Sequence, residues 1–347
     1  MPDGIKTSWR QITARYAQPD RRRALTQLLN TGLPFLALLA GMTWALETGA
    51  WWALALAIPA GGLLIRLFMI QHDCGHGSFF RARWANDLVG RAIGVLTLTP
   101  YVYWRQSHNT HHATSGNLDR RGEGAITTLT VREYLSLPRW RRIAYRAYRH
   151  PLVLFGIGPA YQFLVRHRVP TGHPLRNWRD WLSILGTNLA LGLVVVAAFL
   201  LGIDAFLLGY LPVMLIAASI GVWLFHVQHQ FEDVYWERGP RWQFHAAAIE
   251  GSSFYDLPAG LRWITAHIGL HHIHHLASRI PNYRLKDCFE QNPALQRAKR
   301  LTLWTSLKCA RLSLWDEEAR RLVPFGALRR LAPGPVIMVQ PPQGSCT

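Results

Sequence analysis

Four long apolar stretches decide what this chain can fold into. They run from Leu28 to Glu47, Trp51 to Ile70, Trp181 to Gly202 and Ala205 to Phe225. Each approaches the ~20 residues that a helix needs to cross a bilayer. No Lys or Arg occurs from Leu33 to Ile65, or from Asp180 to Trp236. In lipid the backbone must satisfy its own hydrogen bonds, which restricts such segments to helices. The expected fold is an all-α integral membrane protein with four transmembrane helices in two hairpins. The turns at Glu47–Ala50 and Gly202–Asp204 carry no basic residue, whereas the N-terminus, the segment from Tyr103 to Asp180 and the C-terminal third are rich in Arg. The positive-inside rule then puts both termini and the central segment in the cytoplasm. Trp51, Trp52 and Trp181 suit an aromatic belt. Arg66, inside the second span, must snorkel or face protein, and Pro59-Ala60-Gly61-Gly62 is expected to kink that helix.

The organisation that follows is a basic N-terminal segment over 1–27, one membrane domain over 28–330, and a disordered tail over 331–347 (LAPGPVIMVQPPQGSCT). The polar, basic opening predicts no cleavable leader. Leu88–Trp104 and Pro151–Val165 are apolar but short or interrupted, and are expected to lie in the interface or on the bundle. Of 347 residues only 17% are charged, yet the formal net charge is +18. Basic charge gathered outside apolar gaps fits a membrane surface better than a nucleic-acid patch. Cys74, Cys288, Cys309 and Cys346 have no CxxC spacing, and a packing role is expected for Cys74.

Histidine spacing carries the chemistry. His72 and His76 form HxxxH. His108, His111 and His112 form HxxHH, as do His271, His274 and His275. Residues three or four apart share one helix face, so each box can aim its imidazoles at one point. Eight such residues, half of the chain's 16 histidines, exceed one ordinary site and suffice for two adjacent metals. The first box follows the second span, the third follows the fourth, and the second lies between the hairpins. All three therefore reach one face of the membrane, in a cytoplasmic helical cap. In WLFHVQHQFED at the end of the fourth span, His229 is a candidate ninth ligand and His226 is open between ligand and supporting roles.

His267 and His272 are expected to support the ligands or to be structural, and His150, His167, His173 and His245 to be surface or interface residues. Zinc favours four ligands, often with thiolate, whereas eight or nine imidazoles open to O₂ suit two non-haem irons. Asp73, Glu232, Asp233 and Asp256 are candidate acceptors behind the ligands.

These residues resemble the membrane fatty acid desaturases. HDCGHGSFF, HNTHH with SGNLDRRG, VQHQFED, EGSSFYDLP and GLHHIHHLASRIPNY are similar to bacterial acyl-lipid enzymes of the omega-6 (delta-12) type. The resemblance spans about Gln71 to Tyr283 and the hairpins. It implies a di-iron centre on His72, His76, His108, His111, His112, His229, His271, His274 and His275. With O₂, that centre removes two hydrogens from an acyl C–C bond in a bacterial inner membrane. His226 departs from the pattern, where an aromatic is expected. An sp³ C–H has no acidity for a general base, so O₂ activated at the metals must take the hydrogen. No Rossmann GxGxxG, Cys₄ cluster or HPGG pattern occurs, which implies a separate ferredoxin or cytochrome b5 type donor, steered by basic charge. A di-iron hydroxylase or ketolase is the nearest alternative. A metal transporter is more remote, because its ligands would sit at the bilayer midplane.

Overall fold

The computed structural model describes residues 4–121, 124–169 and 178–329, with side chains from Trp9 onward. The expected tail over 331–347, and His173, lie outside the described residues. The chain is mostly helical. Four helices, Arg21–Glu47, Trp51–His76 (3₁₀ over Trp51–Leu56), Trp178–Leu200 and Ala205–His229, are long and apolar enough to cross a membrane.

The helices are α1 (Gly4–Ala14), α2 (Arg21–Glu47), α3 (Ala57–His76), α4 (Arg83–Leu96) and α5 (Tyr101–Thr114). Then come α6 (Val131–Ser136), α7 (Arg139–Tyr148) and α8 (Gly158–Tyr161), the last flanked by π-helical turns at Val153–Ile157 and Gln162–Arg166. The long α9 (Trp178–Leu200) and α10 (Ala205–His229) precede α11 (Phe244–Ile249), α12 (Ala259–Ile264), α13 (His271–Leu276), α14 (Asn282–Glu290) and α15 (Leu303–Ser306). α2, α3 and α10 form one packed group, and α9 rests chiefly on α5 and α4. Close approach needs small residues: a Cβ on Gly61 would meet Ile216 at 2.8 Å, and one on Gly209 would meet Met42 at 2.9 Å. The outward faces carry exposed Leu29, Leu33, Leu36, Leu182, Leu189 and Phe199, as lipid contact requires.

Two expectations of local structure are corrected. α3 runs unbroken through Pro59-Ala60-Gly61-Gly62, with Pro59 in its first turn, where N–H groups have little use within the helix. The cap is not purely helical. Short strands β1 (Leu129–Thr130), β4 (Leu314–Asp316) and β5 (Arg321–Val323) form one sheet, while β2 (Phe254–Asp256) pairs in parallel with β3 (Arg300–Thr302). Two or three residues are too few to show alternation, and the partners of β1, β2 and β3 are distant in sequence. His167 is buried rather than superficial, with Nδ1 at 3.3 Å from the Leu98 carbonyl and Nε2 at 2.9 Å from Gln162.

The helices outrun the apolar stretches. Asp20 caps α2 by accepting from Arg23 N at 3.1 Å, so this helix starts well before Leu28. α3 and α10 continue past Ile70 and Phe225 to His76 and His229. Gly77, at φ +66°, then ends α3 in the left-handed region. Arg66 faces protein: its Nε donates to Thr31 at 3.0 Å, its Nη1 donates to the Trp263 carbonyl, and its guanidinium lies 4.1 Å from the Trp263 ring centroid. At 14 residues α4 is about 21 Å long, short of the ~30 Å hydrocarbon core.

Candidate metal centre

The last two turns of α3, the C-terminal half of α5, the end of α10 and all of α13 meet at one place. They gather nine imidazoles into two groups: His72, His76, His108, His112 and His274 in the first, and His111, His229, His271 and His275 in the second. Within each group one ring nitrogen per residue lies within 4.8 Å of all the others. The groups adjoin, with the His112 and His275 rings stacked at 4.1 Å. α13 reaches this position through a tight approach. Tyr255 N donates to the Gly269 carbonyl at 2.7 Å, and a Cβ on Gly269 would sit 2.3 Å from the Tyr255 carbonyl oxygen. Only glycine fits there.

The nitrogens are arranged for a cation. Nε2 atoms of His76 and His108, His108 and His112, and His112 and His274 are 3.1 Å apart. In the second group His229 Nε2 lies 3.1 Å from His111 Nε2 and 2.9 Å from His271 Nε2. A neutral imidazole nitrogen has one proton or one in-plane lone pair, so a run of mutual hydrogen bonds cannot satisfy them all. Two nitrogens each about 2.1 Å from one ion, at a right angle, are about 3 Å apart. His275 Nε2 is buried with no hydrogen-bond partner. The donor set therefore fits two metal ions. Burial, then the charge of neighbouring imidazoles, holds the pKa of His108, His111, His112, His271, His274 and His275 well below the usual histidine range. Neutral rings keep the lone pairs that a metal takes.

Tautomers separate these residues from other buried histidines. His72 Nδ1 faces Asp73 Oδ1 at 3.2 Å, and His229 Nδ1 faces the Gly251 carbonyl at 3.1 Å. Both acceptors require Nδ1–H, which leaves Nε2 as a lone pair toward the groups. Asp73 is itself fixed, since its Oδ2 accepts from Asn282 N at 2.6 Å and Asn282 Nδ2 at 2.8 Å. His226 and His272 are the reverse: their Nε2 atoms donate to the carbonyls of Cys309 at 3.0 Å and Leu295 at 2.9 Å. Neither belongs to a group.

Asp73 alone of the four nominated carboxylates touches a ligand candidate. Glu232 is exposed beside Arg321, Asp233 pairs with Lys299, and Asp256 accepts from Arg300 at 2.5 Å. Arg321, Lys299 and Arg300 draw these acids into ion pairs away from the histidines. The Gly251 carbonyl and Asn282 were missed. A backbone acceptor leaves no side-chain signature, and Asn282 gave no sign beyond its place in the motif after the third box.

A cleft of about 480 Å³, including its open mouth, reaches the second group. His111, His229, Phe225, Ile126, Trp236, Arg120 and Arg121 are among its lining residues.

The family model described as fatty acid desaturase matches residues 49–306, a stretch that holds all nine histidines. The chain belongs to the fatty acid desaturase family. Among its relatives, a fatty acid desaturase of Bacillus subtilis (strain 168) is 44% identical over 319 residues, 92% of this chain and 90% of that protein. An sn-1 acyl-lipid omega-3 desaturase (ferredoxin) of Nostoc sp. (strain 36) is 32% identical over 66% of this chain and 64% of its own length. An sn-1 oleoyl-lipid 12-desaturase of Anabaena variabilis is 28% identical over 78% of this chain and 76% of its own. In this desaturase-family chain the matched region begins just before the second long apolar helix, at Trp51, and ends beyond α13.

Proposed function

We propose that this protein is an O₂-dependent desaturase that introduces a double bond into an acyl chain of a membrane lipid. The observation that carries the reading is the meeting of nine imidazoles in two adjoining groups, inside a chain whose family acts on acyl chains. Two iron ions, one per group, would supply the O₂ activation that an unactivated C–C bond demands. In balance, one O₂, two electrons and two protons leave as two waters when two hydrogens are removed from the acyl chain.

The chain's own residues hold and shield the reaction. Asp73, fixed by Asn282, orients His72, and the Gly251 carbonyl orients His229. The acyl chain would lie in the cleft along Phe225, Ile126 and Trp236, beside His111 and His229. Phe225 stands 5.0 Å from the His111 ring and 5.3 Å from the His229 ring, and restricts water on that side. The electrons would come from a separate carrier of ferredoxin or cytochrome b5 type. The printed name of the Nostoc relative supports the first.

The same reading sets the topology. The four long helices would cross a bacterial inner membrane as two hairpins. Both termini and the metal-bearing cap would be cytoplasmic, and the turns near Glu47 and Asp204 would be outside. The support is the absence of Lys and Arg around those turns. Whole-cell lipid profiling after expression tests the function. New monounsaturated or further unsaturated acyl chains are expected. Hydroxylated chains, or an unchanged profile from inserted, iron-loaded protein, would overturn it.

A further inference from the structure

The cap carries a surface that the metal centre does not use. α7, RWRRIAYRAY, holds four arginines and no acidic residue. Its inner face is spent on the fold. Arg142 donates to the carbonyls of Leu135 and Leu137, Arg146 Nε donates to the Tyr134 hydroxyl at 2.7 Å, and Tyr145 donates to the Ser313 carbonyl at 2.7 Å. The outer face is apolar: Trp140 is 64% exposed and Ile143 60%. Arg139 and Arg141 flank that face and make no ion pair among the described residues, and Arg141 lies 5.0 Å from the Trp140 ring centroid.

The next segment also presents apolar side chains. Leu152 and Ile157 are 74% and 65% exposed, and Tyr161 is also exposed. The segment is held at the level of the metal-bearing end of α10, because Phe155 packs 5.0 Å from the Trp223 ring and 5.1 Å from the His226 ring. An open cleft lies between α7 and Phe325–Arg329. It is lined by Arg146, Phe325, Gly326, Leu328 and Arg329, with the Arg146 guanidinium 4.7 Å from the Phe325 ring centroid. Arg329 has no ion-pair partner among the described residues.

We infer that α7, with the segment after it and the Arg146–Arg329 cleft, is an interfacial anchor that selects anionic phospholipid. Trp140, Ile143, Leu152 and Ile157 enter the acyl boundary of the leaflet on the cap's side. Arg139, Arg141 and Arg329 meet headgroup phosphates. Exposed apolar rings and aliphatic chains beside unpaired arginines, on a helix without acids, match a negatively charged leaflet and no neutral aqueous partner. The anchor keeps the cap against the bilayer from which an acyl chain must come.

The test uses the full chain in phosphatidylcholine nanodiscs with a trace of spin-labelled phosphatidylglycerol or phosphatidylcholine. The motionally restricted fraction of each label gives the lipid preference. The wild type should prefer phosphatidylglycerol, and the triple variant Arg139→Gln, Arg141→Gln, Arg329→Gln should lose at least fivefold of that preference. In a Cys346→Ser background, Ile143→Cys should react with a water-soluble maleimide far more slowly than Glu318→Cys. Equal preference in the wild type, preference kept by the triple variant, or equal labelling rates would each overturn the inference. If the triple variant fails to insert, the labelling comparison still decides, since it removes no arginine. Neither readout involves iron or double bonds, so its failure is separate from failure of the desaturase reading.

Discussion

Asp73→Ala should weaken the metal centre without touching a ligand. The Asp73 carboxylate is buried and accepts three hydrogen bonds, at 3.2 Å from His72 Nδ1 and at 2.6 and 2.8 Å from Asn282. Each bond to a charged acceptor contributes about 1.5–3 kcal/mol, but water can enter the space that alanine leaves. A working loss is therefore about 3 kcal/mol of folding stability, below the simple sum. His72 also loses the acceptor that fixes its tautomer. Removing such a partner typically costs 10–100-fold in metal affinity, or about 1.4–2.7 kcal/mol. Asp73→Asn should fall between, because one carboxamide has a single acceptor oxygen. It can serve His72 or Asn282, and its NH₂ then opposes the other donor. Chelator competition on the purified protein, with thermal unfolding alongside, reads both effects. One of the two metal ions should be lost first, that of the His72 group. Wild-type metal affinity in Asp73→Ala would refute the argument.

Gly269→Ala should cost at least 2 kcal/mol and release metal, because its Cβ would collide with the Tyr255 carbonyl and displace α13, a shift read by melting temperature and iron content. His226→Gln should keep two metals per chain while His229→Ala keeps one, since His226 serves the Cys309 carbonyl; equal metal loss in both would contradict the tautomer argument. Acid should destabilise the protein. Burial pushes His272 down to about 4, against about 6.5 unfolded, so the unfolded chain binds the proton first as pH falls. Stability present above pH 6.5 is then lost toward pH 4, about 2 kcal/mol by pH 5 for this residue alone, and the depressed ligand histidines act in the same direction. Thermal unfolding at pH 7 and pH 5 checks this, and an unchanged midpoint would count against it.

What the sequence discloses, and what it hides, follows from range. The four long helices are legible because one residue type persists over twenty positions. The boxes are legible because spacings of three and four repeat on helices. The role of Asp73 was within reach because it adjoins His72 in the chain, although its second partner, Asn282, comes from α14. Glu232, Asp233 and Asp256 looked equivalent by sequence, but basic residues distant in the chain, Arg321, Lys299 and Arg300, claim them. The distinction between His272 and His274 rests on which ring nitrogen meets the Leu295 carbonyl, and spacing does not encode that. The strands escaped notice because each is at most three residues long, and the β1–β4 and β2–β3 pairs join segments far apart in sequence.

Metal analysis of the purified full chain tests the central claim most directly. The nine imidazoles in two groups predict two irons per chain, with the count falling toward one when His111 or His274 is replaced by alanine in protein that still inserts. Stoichiometric zinc, or no more than one iron in the intact chain, would contradict the account.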